Sequence, residues 1–308
     1  MRENLGTNDF ENKAVAMISA ELFFQSDCGL GEGPVWEAGT LYWTDITGKA
    51  IYTRRDDGSV TEKFAMPFEV GSFVLWKDHS LVLATEYGFQ SFNLRTRKTA
   101  PLSNPEKNLL NNRFNDGKCD PKGRFVAGTL SRIRQPEAAL YLFDHDQSVR
   151  QLFYPVTNSN GLAWTESGEI FYYIDTASRA VRAFDYDLEN GALSNERVVI
   201  KIPESHGKPD GMTIDRNGNL WIALWEGWGI ECWNPQTGKQ IARIEVPVAR
   251  VTSCTFGGLH YETLLITTAR QGLDSAALAQ QEFAGSIFRA RPGASGYPAV
   301  HFRSDSKI

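Results

Sequence analysis

The sequence predicts an all-β chain folded as a six-bladed β-propeller with four-stranded blades. Three observations carry that prediction. Helical periodicity is nearly absent, and short runs rich in Val, Ile, Tyr, Phe and Trp alternate with turns holding Gly, Asp or Asn. A turn between paired strands recurs at Trp36, Trp76, Cys119, Trp164, Ile214 and Phe256, spaced 40, 43, 45, 50 and 42 residues apart, the repeat length of propeller blades. The chain also offers more than twenty strand-like runs, where a β-sandwich needs only about seven to nine.

Along the chain, residues 1–14 are polar and mixed in charge, and are read as a segment outside the fold. Residues 15–308 form one domain, with the stretch around 15–24 expected to supply the outer strand of the last blade and so close the ring. TLYWTD, SLVLAT and RFVAGTL mark second strands of the first three blades. Blade four shows a full set in GLAW, EIFYYID, AVRAFDYD and RVVIKI, and blade five repeats it in GMTI, NLWIAL, GIECWN and QIARIEV. TLLITTA belongs to blade six; the patch SAALAQQEF after it has helical character but reads as part of a long loop.

Composition narrows the function classes. A net charge of −5 disfavours nucleic acid or an anionic membrane as partner. No run approaches the roughly 20 apolar residues that cross a bilayer, and AVAMISAELFF lacks a basic flank and a cleavage site. Cys28, Cys119, Cys232 and Cys254 are too scattered for a zinc pattern or a disulfide framework. A cytoplasmic protein, monomeric or weakly homo-oligomeric, is expected.

The residues that carry chemistry lie in phase with the repeat. Glu32-Gly33, Asn115-Asp116-Gly117, Asn160-Gly161 and Asp210-Gly211 each stand just ahead of an apolar first strand. Asn-Gly and Asp-Gly are common turn dipeptides, but Glu has no turn preference, and four such pairs in register exceed what turns require. First strands line a propeller's channel, so these heads converge at one rim. Oxygen donors without His or Cys suit a hard cation, Ca²⁺, Mg²⁺ or Mn²⁺, with Zn²⁺ a poorer match. The loops following the second strands open at the same rim; those at 131–138 and 269–286 are the longest and are candidate specificity elements.

Gly-Glu-Gly-Pro-Val-Trp at 31–36, Asn-Asn-Arg-Phe-Asn-Asp-Gly-Lys at 111–118, Ser-Asn-Gly-Leu at 159–162 and Pro-Asp-Gly-Met at 209–212 resemble the gluconolactonase/regucalcin (SMP-30) family. The similarity runs through FYYIDTASRAVRAFDYDLENGALSNERVV to GSIFRA, over roughly 30–290. The resemblance implies one divalent cation, Ca²⁺ before Zn²⁺, Mn²⁺ or Mg²⁺, and hydrolysis of a sugar lactone to the aldonic acid. It assigns Glu32, Asn160 and Asp210 to the metal, Asp210 also to general-base work, and Arg113 and Asn115 to substrate. Asn115 also coordinates in some members, and Asp116 is given a supporting role. One departure stands out: a substrate-contacting glutamate of animal regucalcins aligns with Ile133, and Glu137 is only a loose substitute. Trp225, Trp228 and His206 are read as packing or surface residues before ligand contacts. No Gly-x-Ser-x-Gly elbow supports a serine mechanism. The competing readings are an organophosphate hydrolase on the same metal and a non-catalytic calcium-binding scaffold.

Overall fold

The computed structural model describes residues 15–304. Six sheets, each with four antiparallel strands at its heart, follow one another as propeller blades. Their first strands are Gly31–Glu37, Val70–Leu75, Asn112–Cys119, Ser159–Trp164, Lys208–Ile214 and Val251–Gly257. Each first strand touches that of the next blade, and the sixth touches the first, so the ring is closed.

Six of the hydrophobic clusters lie between neighbouring blades, not within single ones. Phe114 and Phe143 of blade three, for example, pack on Phe89 of blade two with centroids 4.6 and 4.7 Å apart. This explains why the strands read as near-continuous apolar runs. Both faces of each inner sheet are covered, and it is the outer strands that lie mostly exposed.

Both chain ends build the closure. Glu21–Phe24 is the outer strand of blade six, beside Ile287–Ala290. The expected single outer strand over 15–24 is, however, two strands. Ala16–Ser19 pairs in parallel with Lys239–Glu245 as a fifth strand of blade five. Ala20 then donates its N–H to Glu245 O at 2.9 Å and turns the chain across to blade six. The segment is thus a clasp over two blades. Residues 1–14, read as lying outside the fold, and 305–308 are outside the described residues.

Within the long blade-six loop, Ser275–Gln280 folds as a helix, although the sequence reads there as loop. Asp274 caps it by accepting from Ala277 N at 2.8 Å. Gln281 ties the loop down by accepting from Ala249 N at 2.7 Å. The four cysteines are all buried and unpaired, Cys28 included.

Candidate metal centre

The polar heads are placed by a defect repeated in every blade. Each first strand breaks register with its second strand: between Glu32 and Val35, Val70 and Ser72, Phe114 and Gly117, Asn160 and Leu162, Pro209 and Met212, and Val251 and Ser253. A β-bulge adds a residue to one strand and re-aims its side chains. Glu32, Asn115, Asn160 and Asp210 therefore sit inside the first strands, at the bulges, and not ahead of them as the sequence suggests. At Gly161 and Gly211 the glycine that follows serves the close approach of the next blade's first strand. A Cβ on Gly211 would lie 2.2 Å from Ser253 Oγ and 2.8 Å from Ser253 Cα. Gly33 also needs a left-handed backbone, with φ +53°.

Loops upstream of two heads are fastened by an aspartate at the end of the second strand. Asp45 accepts from the N–H groups of Gly29, Leu30 and Gly48 at 3.0–3.1 Å. Asp175 does the same for Thr157 and Asn158, both at 3.0 Å. These repeated anchors hold Glu32 and Asn160 at the rim.

Glu32, Arg113, Asn115, Asp116, Asn160 and Asp210 are all buried, between 2% and 8% exposed. Asn115 Nδ2 donates to Asn160 Oδ1 at 3.0 Å and to Ser159 O at 2.7 Å. Asn160 in turn donates Nδ2 to Thr176 Oγ1 at 2.7 Å, which turns its amide oxygen inward. Thr176 donates to Pro209 O at 2.8 Å, beside Asp210. Blades three, four and five are thus linked through side chains at one end of the channel.

The charges in this space are unbalanced. Burial, then the negative charges of Asp210 and Asp116, push the Glu32 carboxyl well above the usual range, against the Gly33 N–H and Arg113. Burial and the Asp116 charge push Asp210 well above it too, opposed by Arg113 and the Gly211 N–H. Asp116 is raised by burial, with Lys118 and the Gly117 N–H pulling the other way. Burial lowers Arg113 to about 10 despite its acidic neighbours Glu69, Glu32 and Glu86. Three buried carboxyls with so little compensation are costly to ionise together. A divalent cation would supply the missing charge, and the buried carboxyl and amide oxygens are the donor type hard cations take. The residues fit such an ion. Among the described residues no three Asp, Glu, His or Cys side chains gather into a metal cluster, so an ion here would need amide oxygens as well as carboxylates.

Sequence reading overlooked Glu69. It stands at the blade-two position that breaks the polar-glycine pattern, yet its Oε2 lies 3.3 Å from Arg113 Nε and 2.7 Å from Arg132 Nη2. Arg113 Nη1 also donates to Asn115 Oδ1 and Phe114 O, both at 2.8 Å. Arg132, from the 131–138 loop, reaches Glu86 at 3.3 Å as well, so that loop is pinned over blade two. Glu137 is occupied by Ser131 Oγ at 2.9 Å, while Ile133 is exposed. Trp225 packs under Arg250, 4.9 Å from its guanidinium carbon, and Trp228 is 47% exposed. His206 lies 2.9 Å from buried Glu231, away from the cluster.

A six-bladed propeller carrying buried carboxylate and amide oxygens at one end of its channel is the class this fold and site define. The chain matches the SMP-30/gluconolactonase/LRE-like region over residues 30–270 and belongs to that family. It is 38% identical to regucalcin of Oryctolagus cuniculus over 297 residues, covering 94% of this chain and 99% of that protein. Among solved structures, a calcium-binding protein, regucalcin from Agrobacterium tumefaciens, superposes with TM-score 0.89 at 24% identity, over 94% of this chain and 99% of that one. A gluconolactonase from Xanthomonas campestris gives TM-score 0.68 at 20% identity, covering 88% of each chain.

Proposed function

We propose that this protein is a divalent-cation-dependent sugar lactonase that opens an aldonolactone to its aldonic acid. The observation that carries the reading is the buried, under-compensated set Glu32, Asp116 and Asp210, on first strands packed beside those that carry Asn115 and Asn160. Membership of the gluconolactonase-like family supports the same chemistry. Glu32, Asn160 and Asp210 would hold the ion, with Asn115 beside them. Calcium leads by donor type, with Zn²⁺, Mn²⁺ and Mg²⁺ as alternatives. The bound cation supplies Lewis-acid polarisation of the lactone carbonyl.

Asp210, held ionised when the ion is present, takes a proton from the water that attacks the carbonyl carbon. The C–O bond to the ring oxygen then breaks, and the proton passes to that oxygen. The acid formed ionises at neutral pH and releases one proton. Arg113 and Asn115 hold substrate hydroxyls; Glu69 keeps the guanidinium in place. Charged groups around the rim, Arg113, Arg132, Glu69 and Glu86, suit a polyhydroxylated substrate better than an apolar phosphotriester. The buried free thiols suit the reducing cytoplasm. No helix among the described residues is long and apolar enough to cross a membrane.

The test is a pH-indicator assay across five- and six-membered aldonolactones with several cations, and an organophosphate ester alongside. Turnover of at least one lactone and none of the ester is expected. Cation binding without any turnover would instead support the scaffold reading.

Thr176 makes a more local prediction. Thr176→Val removes the acceptor for Asn160 Nδ2, freeing the amide to present nitrogen to the ion. Cation affinity is expected to fall by about 10-fold to 100-fold, the usual cost of losing a partner that orients a ligand. Thr176→Ser should restore it. Calorimetric titration of the metal-free variants with Ca²⁺ reads this directly.

A further inference from the structure

We propose that the opposite half of the channel is a second ligand site, which takes a small apolar carboxylate of the medium-chain fatty acid type. A cavity of about 610 Å³ lies there, within the roughly 300–1,000 Å³ typical of small-molecule sites. All six first strands contribute to its wall, with Val35, Phe73, Cys119, Trp164, Ile214 and Phe256 among the apolar faces. Gly33 and Asp116 mark its end toward the metal centre, whereas Glu32, Asn160 and Asp210 do not line it.

The chain itself crosses the far end. After blade six, residues 297–303 run beneath the channel, and 297–301 and Arg303 line the cavity. Gly296 N donates to Tyr261 O, Phe302 N to Leu75 O and Arg303 N to Gly123 O, at 2.8–2.9 Å. This strap reaches from blade six to blades two and three. The turn beneath blade three is shaped to receive it: a Cβ on Gly123 would come within 2.8 Å of His301 O and Arg303 Cγ. Phe302 anchors the strap in the core between blades two and three, its ring 5.3 Å from Phe143, which leaves its neighbours facing the channel. Here the strap makes that half of the channel a partly covered chamber.

Lys118 supplies the charge. It lines the chamber and is half-buried. Its ammonium carries three donors, and the hydrogen bond it makes among the described residues goes to Met212 O at 3.0 Å. Asp116 is its charged neighbour but belongs with the carboxyls of the metal centre. A cation at one end of an apolar chamber matches an anionic head on a hydrocarbon tail. Apolar surface supplies most of the binding, and the ion pair sets orientation and selects the anion.

The test uses decanoate and decanol, titrated calorimetrically into the EDTA-treated full chain at neutral pH. One decanoate should bind per chain, with decanol roughly tenfold weaker or worse, the worth of one charge-assisted hydrogen bond. Lys118→Met should remove that preference. Thr255→Phe, which fills the chamber from a half-buried wall position, should weaken both ligands. Circular dichroism and the unfolding midpoint establish that each variant is folded, and Thr255→Phe keeps the test decisive if Lys118→Met is not. The proposal is overturned if decanoate does not saturate, or if decanol binds equally well. It is also overturned if binding survives Thr255→Phe but disappears in Asp210→Asn, which would place the ligand at the metal centre.

Discussion

Asp210→Asn is expected to reduce lactone turnover by about 10³-fold or more, within the range for removing a general base. The substitution keeps the shape of the side chain and an oxygen to accept from Gly211 N–H. It removes the negative charge that holds the cation and the basic site that takes the proton from water. Stability should move the other way. In the metal-free protein, Asp210 shares a buried space with Glu32 and Asp116, whose charges oppose one another. Neutralising one of three such groups relieves that repulsion, so the unfolding midpoint without metal should hold or rise. Paired turnover and thermal-unfolding measurements separate a catalytic role from a structural one. A variant that loses activity only because it unfolds would show both quantities falling together, and near-normal turnover would sink the mechanism outright.

The second large effect is the dependence of stability on cation and pH. Glu32, Asp116 and Asp210 have carboxyl pKa values raised by folding. A folded pKa above the unfolded one means that the native state holds protons the unfolded chain has released. Their contribution is therefore fully favourable below the unfolded carboxyl range, about pH 4, and is lost as pH rises through the raised folded values. The metal-free protein should accordingly be penalised at neutral pH relative to mildly acidic pH by these groups. A bound cation favours the ionised forms and cancels that penalty. Added Ca²⁺ should therefore raise the unfolding midpoint most at neutral pH and least in mild acid, where it competes with protons. At about 100 times its dissociation constant, a ligand of the native state adds about 2.7 kcal/mol. Scanning calorimetry with and without Ca²⁺ at two pH values reads the effect. A cation shift that is equal or larger in acid would contradict the assignment of these carboxyls to the ion.

The six-fold repeat was legible because it is written in local chemistry. Each blade repeats an apolar first strand, a short turn and a second strand, and the glycines of that first strand answer a steric need that Gly211 against Ser253 makes explicit. Glu32 stood out because a turn does not call for glutamate. The bulges were less legible: nothing in Pro-Asp-Gly-Met announces that the strand already begins at Lys208. Residues that act across blades were hidden for a different reason. Glu69 meets Arg113 only because blades two and three are neighbours, and Thr176 meets Pro209 O only because blades four and five are. The parallel strand Ala16–Ser19 depends on blade five, more than two hundred residues away. Such partners carry no periodic signature, so their roles follow only once the ring is closed.

In the proposed function these convergent oxygens hold a divalent cation that lactone hydrolysis requires. The measurement that bears on it most directly is turnover by the EDTA-treated protein as Ca²⁺, Mn²⁺, Mg²⁺ or Zn²⁺ is titrated back, with a sugar lactone as substrate. Negligible turnover is expected without metal, with recovery that saturates at one cation per chain. Full activity in the metal-free protein would contradict it.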